Sequence, residues 1–157
     1  MKRTWVTTSS TNVEAVINPL IAACNDGFVP TDLYLIETPA VSEQMAEVKE
    51  LSKTIIEAYN GETPSIEATQ LKEEADFDGI HDHVKGAIKE TKDAGGEVAV
   101  DVTPGRKFMT AFAFAAGMRY GADRVHYLYL DRREYGYLYP ELPRTSIELY
   151  DFTEVMA

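Results

Sequence analysis

The sequence is poor in the features that most often give a function away. Of its 157 residues one is cysteine, so Cys24 has no partner for an internal disulfide and reads as a small buried residue of the first helix. No apolar stretch approaches the roughly 20 residues of a membrane-crossing helix. Met1-Lys2-Arg3 leads straight into a β-prone run, so no signal peptide is visible and the cytoplasm is the expected location. The fingerprints GxGxxG and GxxxxGK(S/T) are missing, which counts against the usual nucleotide cofactors, and no cofactor is expected. Histidines number three. His81 and His83, two apart, point to different faces of a helix, so no metal site is expected, while His126 falls in a buried strand run and reads as a satisfied structural residue.

Positive charge is scarce as well. Fifteen Lys and Arg stand against 26 Asp and Glu, a formal charge of −11, which argues against duplex nucleic acid or an anionic membrane as partner. The imbalance is uneven: residues 1–100 hold 8 basic against 18 acidic side chains, residues 101–157 hold 7 against 8. The second group is Lys107 with Arg106, Arg119, Arg124, Arg132, Arg133 and Arg144. The rigid arginine fork suits phosphate, so a small anion held locally fits this chain; solvated surface or ion pairing is the competing reading for each arginine.

What the chain does have is an ordinary globular composition, 45% hydrophobic and 26% charged, over a length of one domain, 1–157, able to bury about 70% of its unfolded surface. Its centre is residues 97–130. The β-branched run Val98, Val100, Val102 stops at Thr103-Pro104-Gly105, a segment rich in Ala, Phe and Met follows, and Val125 opens a second apolar run. That is strand, tight turn, helix, strand, the reading of a parallel βαβ unit. Pro104 sets φ, Gly105 lets backbone approach a ligand, and Arg106-Lys107 falls where the helix begins. Free N–H groups and two cations at a helix N-terminus suit phosphate, with the amides of Gly105 and Arg106 as donors.

Elsewhere the chain alternates strand and helix. Residues 4–8 read as a buried first strand, followed by Ser9-Ser10-Thr11-Asn12, a run that favours turns and helix caps. Val13, Val16, Ile17, Leu20 and Ile21 share one helical face, and Pro19 is expected to kink that helix or split off its first turn. Residues 33–36 form a second strand. Ser42 is expected to cap a helix to about Tyr59 with Met45, Val48, Leu51, Ile55 and Ile56 inward. Residues 66–71 form a weaker strand, and Asp76 opens a third helix to about Ala94, closed by Gly95-Gly96. Residues 131–136 read as a turn, and 137–139 with 147–152 as an antiparallel hairpin at one sheet edge. The tyrosines Tyr127, Tyr129, Tyr135, Tyr137 and Tyr139 suit strand packing, an interface or a ligand rim, and Phe108, Phe112, Phe114 and Met118 suit core or a dimer interface. There is no repeat or linker. The expected architecture is α/β, a doubly wound, mostly parallel, Rossmann-like sheet with a C-terminal β-hairpin at the edge. Ligands of such sheets bind beyond the carboxyl ends of the strands where strand order reverses. Two loops there carry the right chemistry: Thr8-Ser9-Ser10-Thr11-Asn12 after strand 1, and Thr103-Pro104-Gly105-Arg106-Lys107 after strand 4.

This pair of loops, TTSSTN and DVTPGRKFM, resembles that of the CRISPR-associated Rossmann-fold (CARF) domain, which typically has a Thr/Ser-rich first loop and a Thr-Gly-Gly-Thr-Lys-like second loop before an Ala/Gly-rich helix. The resemblance covers nearly the whole chain; Pro104 departs from it where the family often has Gly, while Thr103, Gly105 and Lys107 match. It implies a homodimer whose facing loops form a two-fold pocket for a cyclic oligoadenylate, commonly cyclic tetra-adenylate, the messenger of type III CRISPR signalling. Thr8, Ser9, Ser10, Thr11, Asn12, Thr103, Pro104, Gly105, Arg106, Lys107 and Met109 are then the candidate ligand-binding residues, with Asn12, Met109 and Tyr129 facing the adenines. It also leaves open an enzyme on the same pocket: a metal-independent ring nuclease in which a ribose 2′-OH attacks the neighbouring phosphorus, Ser10 (or Ser9) orienting the hydroxyl and Lys107 stabilising the phosphorane. A third reading is an unrelated α/β nucleotide-binding protein. Taken as a whole protein, the chain has no room for an effector, so it degrades the messenger or signals through a partner. Taken as part of a longer one, it is the sensor of an effector elsewhere, and only then is membrane tethering open to it.

Overall fold

The structure is a computed structural model, and it describes residues 1–131 and 137–157. Six strands form one sheet: β1 (Arg3–Thr7), β2 (Asp32–Glu37), β3 (Ser65–Gln70), β4 (Glu97–Asp101), β5 (Arg124–Leu130) and β6 (Ile147–Asp151). Their order across the sheet is β3-β2-β1-β4-β5-β6. All neighbours are parallel except β5 and β6. The helices are α1 (Val13–Asn25), α2 (Ser42–Asn60), α3 (Phe77–Asp93), α4 (Lys107–Arg119) and the short α5 (Phe152–Val155).

The alternation of side chains along the central strands explains why helices cover both faces. Val6, Val98, Val100 and Val125 point to one side and meet Val84, Ala87 and Ile88 of α3 with Ala113 and Ala116 of α4. Trp5, Leu33 and Ala99 point to the other and meet Leu20, Ala23 and Cys24 of α1 and Ile56 of α2. Both helix layers are anchored by residues of 5% exposure or less, so the sheet is the shared core. Strand order runs outward in opposite directions from the β1–β4 seam, which is the reversal point of a doubly wound sheet.

The expected architecture is met, with local differences. The antiparallel edge hairpin is made of β5 and β6, Leu128 lying opposite Leu149. Residues 137–139 take no part in it: Tyr139 opens a 3-10 turn and is buried. What places this segment is Asn18 of α1, whose Nδ2 donates to the Tyr137 carbonyl at 2.9 Å and whose Oδ1 accepts from the Tyr139 N–H at 2.7 Å. A partner 119 residues away is invisible to local pattern. The turn expected over 131–136 lies outside the described residues beyond Asp131, as do Arg132, Arg133 and Tyr135.

Pro19 does not split α1, which runs unbroken from Val13 to Asn25; burial of Val16 to Cys24 outweighs the one lost helical hydrogen bond. Ser42 is the first residue of α2 rather than its cap, because a 3-10 turn at Pro39–Val41 precedes it and its hydroxyl donates back to the Pro39 carbonyl at 3.1 Å. Asp76 does cap α3, accepting from the Gly79 N–H at 3.0 Å. Among the described residues no helix is long and apolar enough to cross a membrane.

Candidate functional site

The two candidate loops leave adjacent strands, since β1 and β4 pair in register from Arg3 with Glu97 to Thr7 with Asp101. They therefore emerge side by side at the reversal point, and they touch. The Thr8 hydroxyl donates to the Pro104 carbonyl. Gly105 has φ +100°, in the left-handed region, and a Cβ placed on it would lie 3.0 Å from the Ser9 carbonyl oxygen and 3.2 Å from the Met109 sulfur. Glycine is needed there twice over, for its backbone angle and for the closeness of the two loops.

Contact between the loops divides their residues into framework and surface. Thr8 and Ser9 are buried at 1% and 7% exposure, and Pro104 is buried behind them. Ser10 is half-buried, its oxygen accepting from the Asn12 N–H at 3.1 Å, while Thr11, Asn12, Gly105, Arg106 and Lys107 face solvent. Met109 corrects the sequence reading: it is 2% exposed and packs with Ile36, Leu71 and Ile80. Its place on the inner face of α4 makes it a prop under Gly105, and no surface remains on it for a base.

The N-terminus of α4 has no side-chain cap and no acidic residue in its first turn. Its leading N–H groups lack intrahelical acceptors by construction. Arg106 is paired with Glu74 at 2.7 Å. Lys107 has no ion pair among the described residues. An exposed cation beside unsatisfied amides at the positive end of a helix dipole is at an electrostatic disadvantage that an anion relieves.

Two concavities flank this corner. One, of about 260 Å³, lies between the start of α1 and the end of β5, with Asn12, Asn18, Thr103, Tyr127 and Tyr129 in its wall. The other, more open and about 540 Å³, runs along α4 past Lys107, Thr110 and Phe114 to Phe152. Thr103 and Tyr127 line both. Tyr129 is 44% exposed, and Tyr127 stacks on Phe152 with ring planes 13° apart. Glu14, in the first turn of α1, also borders the smaller cavity.

Beneath the loops lies a polar layer that sequence reasoning missed. Asp101 is fully buried; its Oδ2 accepts from the Thr7 hydroxyl at 2.9 Å and its Oδ1 from the Thr103 N–H at 3.0 Å. Burial raises its carboxyl to about 7 against the opposing effect of those bonds. Thr103 in turn accepts from the Leu128 N–H at 2.9 Å, tying the loop to β5. On the opposite face His83 is buried between the Thr7 carbonyl at 2.9 Å and the Thr69 hydroxyl at 2.8 Å, and burial holds it neutral, down to about 4. The available signal was an acidic residue ending an apolar strand, in register with Thr7. His126, expected to be satisfied, is buried with Nδ1 lacking a hydrogen-bond partner among the described residues, and burial lowers it to about 4 as well. No cluster of three or more metal-binding side chains occurs among the described residues.

No family model matches the chain, and no curated protein matches it. Solved structures do. Can2 from Sulfobacillus thermosulfidooxidans in complex with cyclic tetra-adenylate aligns at TM-score 0.58 and 16% identity over 80% of this chain and 31% of that one. A type III CRISPR defence DNA nuclease activated by cyclic oligoadenylate aligns at 0.59 and 22% over 84% of this chain and 19% of the other. Enterococcus italicus Csm6 bound to cyclic hexa-2′-fluoro-hexa-dAMP aligns at 0.62 and 17% over 99% of this chain and 43% of the other. The chain thus spans less than half the length of each, and identities this low speak to fold alone. By that measure, and with its two loops meeting at the β1–β4 seam, the chain shares the Rossmann-like α/β fold of these solved structures.

Proposed function

We propose that this domain is a sensor of cyclic oligoadenylate, with cyclic tetra-adenylate as the ring, bound across a homodimer in type III CRISPR antiviral signalling. The observation that carries the reading is Lys107, without an ion pair among the described residues, at the uncapped start of α4 beside a loop that Thr8 and Gly105 lock against it. That corner offers amides and a cation to a phosphate. Asn12 and Tyr129 are exposed on the wall of the adjoining cavity, which supports assigning them to a base.

The dimer is supported by the outer face of α4. No charged residue occurs between Lys107 and Arg119, yet Ala111, Phe112, Ala115 and Met118 are exposed, Phe112 at 38% and Met118 at 37%. A helix apolar on every side is normally covered. Since this face continues from Lys107, a second copy packed on it sets two anion sites near one another, as a ring with two-fold symmetry needs.

The test is retention of labelled cyclic tetra-adenylate by the purified protein in EDTA, with separation of linear products. Retention of the intact ring supports the sensor. Conversion to linear products that Lys107→Ala abolishes would make the protein a ring nuclease, with Ser10 and Lys107 in the roles given above. No retention removes both readings.

A further inference from the structure

The buried carboxylate is out of place under a site for anions. Among the described residues Asp101 has no cation in its hydrogen-bonding shell; its partners there are the neutral Thr7 and Thr103. Through those partners it joins the end of β1 to the loop after β4, and Thr103 extends the chain of contacts to the Leu128 N–H on β5. Thr103 is also a wall residue of both concavities. Whatever orients Thr103 therefore shapes the surface on which a ligand lands.

We propose, resting on the ligand reading above, that Asp101 is a positioning residue which holds Thr103 in the ligand-binding surface and links ring binding to uptake of one proton. An ionised Asp101 repels each incoming phosphate through low-dielectric protein, where screening is weak. A protonated Asp101 keeps its bonds to Thr7 and Thr103 without that repulsion. Binding of a polyanion then favours the protonated form, and by linkage protonation favours binding. The carboxyl is raised to about 7 by burial, so the exchange falls in an accessible range.

Among the described residues, the groups around Asp101 leave that range to it. From β1 it meets Thr7, and from its own loop Thr103. From β5 it meets its register partner His126, which is neutral through burial and titrates near 4. His83, on the opposite face, is bonded to the Thr7 carbonyl and also titrates near 4. From α1 the sheet meets apolar Val16, Ile17 and Leu20, with Glu14 at the cavity mouth. Arg106 and Lys107 provide the positive charge at the start of α4.

The experiment measures the Kd for cyclic tetra-adenylate from pH 5.5 to 8.5 in wild type, Asp101→Asn and Asp101→Ala, together with amide exchange at Thr103 in the ligand-free proteins. Wild type should bind several-fold more weakly at pH 8 than at pH 6, approaching tenfold per pH unit above the titration point for one linked proton. Asp101→Asn, a neutral residue of the same shape, should bind at pH 8 as wild type does at pH 6 and show a flat profile. Asp101→Ala should be flat and weak, with faster exchange at Thr103. An Asp101→Asn profile that tracks wild type, or Thr103 exchange unchanged in Asp101→Ala, overturns the proposal. Should wild type retain no ring at any pH, the ligand reading and the linked proton fall together, and the exchange data alone decide whether Asp101 orders Thr103.

Discussion

The loop after β1 and the loop after β4 look interchangeable as sequence, two short polar stretches between an apolar strand and a helix, but the fold gives them opposite duties. The first begins inward, with Thr8 and Ser9 buried and the Thr8 hydroxyl spent on the Pro104 carbonyl, before Thr11 and Asn12 reach solvent. The second turns outward, exposing Gly105, Arg106 and Lys107 at the start of α4. A hydroxyl satisfied by protein is a brace, whereas an exposed ammonium beside unsatisfied amides is a receptor. One loop is therefore the anvil against which the other is shaped.

The comparison is broken most severely at the point of contact. Gly105→Ala places a Cβ at 3.0 Å from the Ser9 carbonyl oxygen with φ at +100°, a strain on the order of 1–3 kcal/mol. It should separate the loops, lowering stability in urea titration and abolishing ring retention together. A variant that binds and unfolds like wild type would mean that the loops need not touch.

Single-loop changes should then divide cleanly. Lys107→Ala is expected to weaken ring binding at least tenfold, about 1.4 kcal/mol for a lost charged contact, with the thermal midpoint unchanged. Thr8→Val, which removes the donor to Pro104, is expected to cost about 1 kcal/mol of stability in the same urea titration. Its effect on affinity should be smaller than that of Lys107→Ala. The reverse pattern would exchange the duties assigned to the loops.

The mildest change is within the outward loop. Arg106 and Glu74 are paired at 2.7 Å, but the Arg106 side chain is 69% exposed, and pairs so open to solvent contribute little. Arg106→Ala should shift stability by less than about 0.5 kcal/mol, and affinity by less than Lys107→Ala does. A loss as large as that of Lys107→Ala would make Arg106 a ligand contact and its pairing with Glu74 a resting state.

Much of this was legible in the chain, because strand and helix leave periodic traces. Val98, Val100 and Val102 announce a strand buried on one face, Asp76 a capped helix, and Gly105 after Thr103-Pro104 a turn that needs an unusual backbone angle. Those signals are local, and they carried the α/β architecture and the two loops. The parts that were not legible depend on partners distant in sequence. Residues 137–139 read as strand by their alternation, but Asn18 draws them into a turn on α1. Met109 read as a ligand contact facing an adenine, but α4 rolls it onto Ile36, Leu71 and Ile80. Asp101 gave no sign of titrating near neutrality, since that follows from the helices that close over it and not from its neighbours in the chain.

The sequence by itself determined which segments fold as strands and helices and which residue types stand at the strand ends, because propensity, periodicity and turn chemistry act over a few residues. Only the tertiary structure decided which of those strand ends meet, which hydroxyls are consumed in bracing them and which cation at the start of α4 has no ion pair among the described residues. Burial and pairing are properties of segments brought together from far apart, and pairing Thr7 with Asp101 joins residues 94 positions apart.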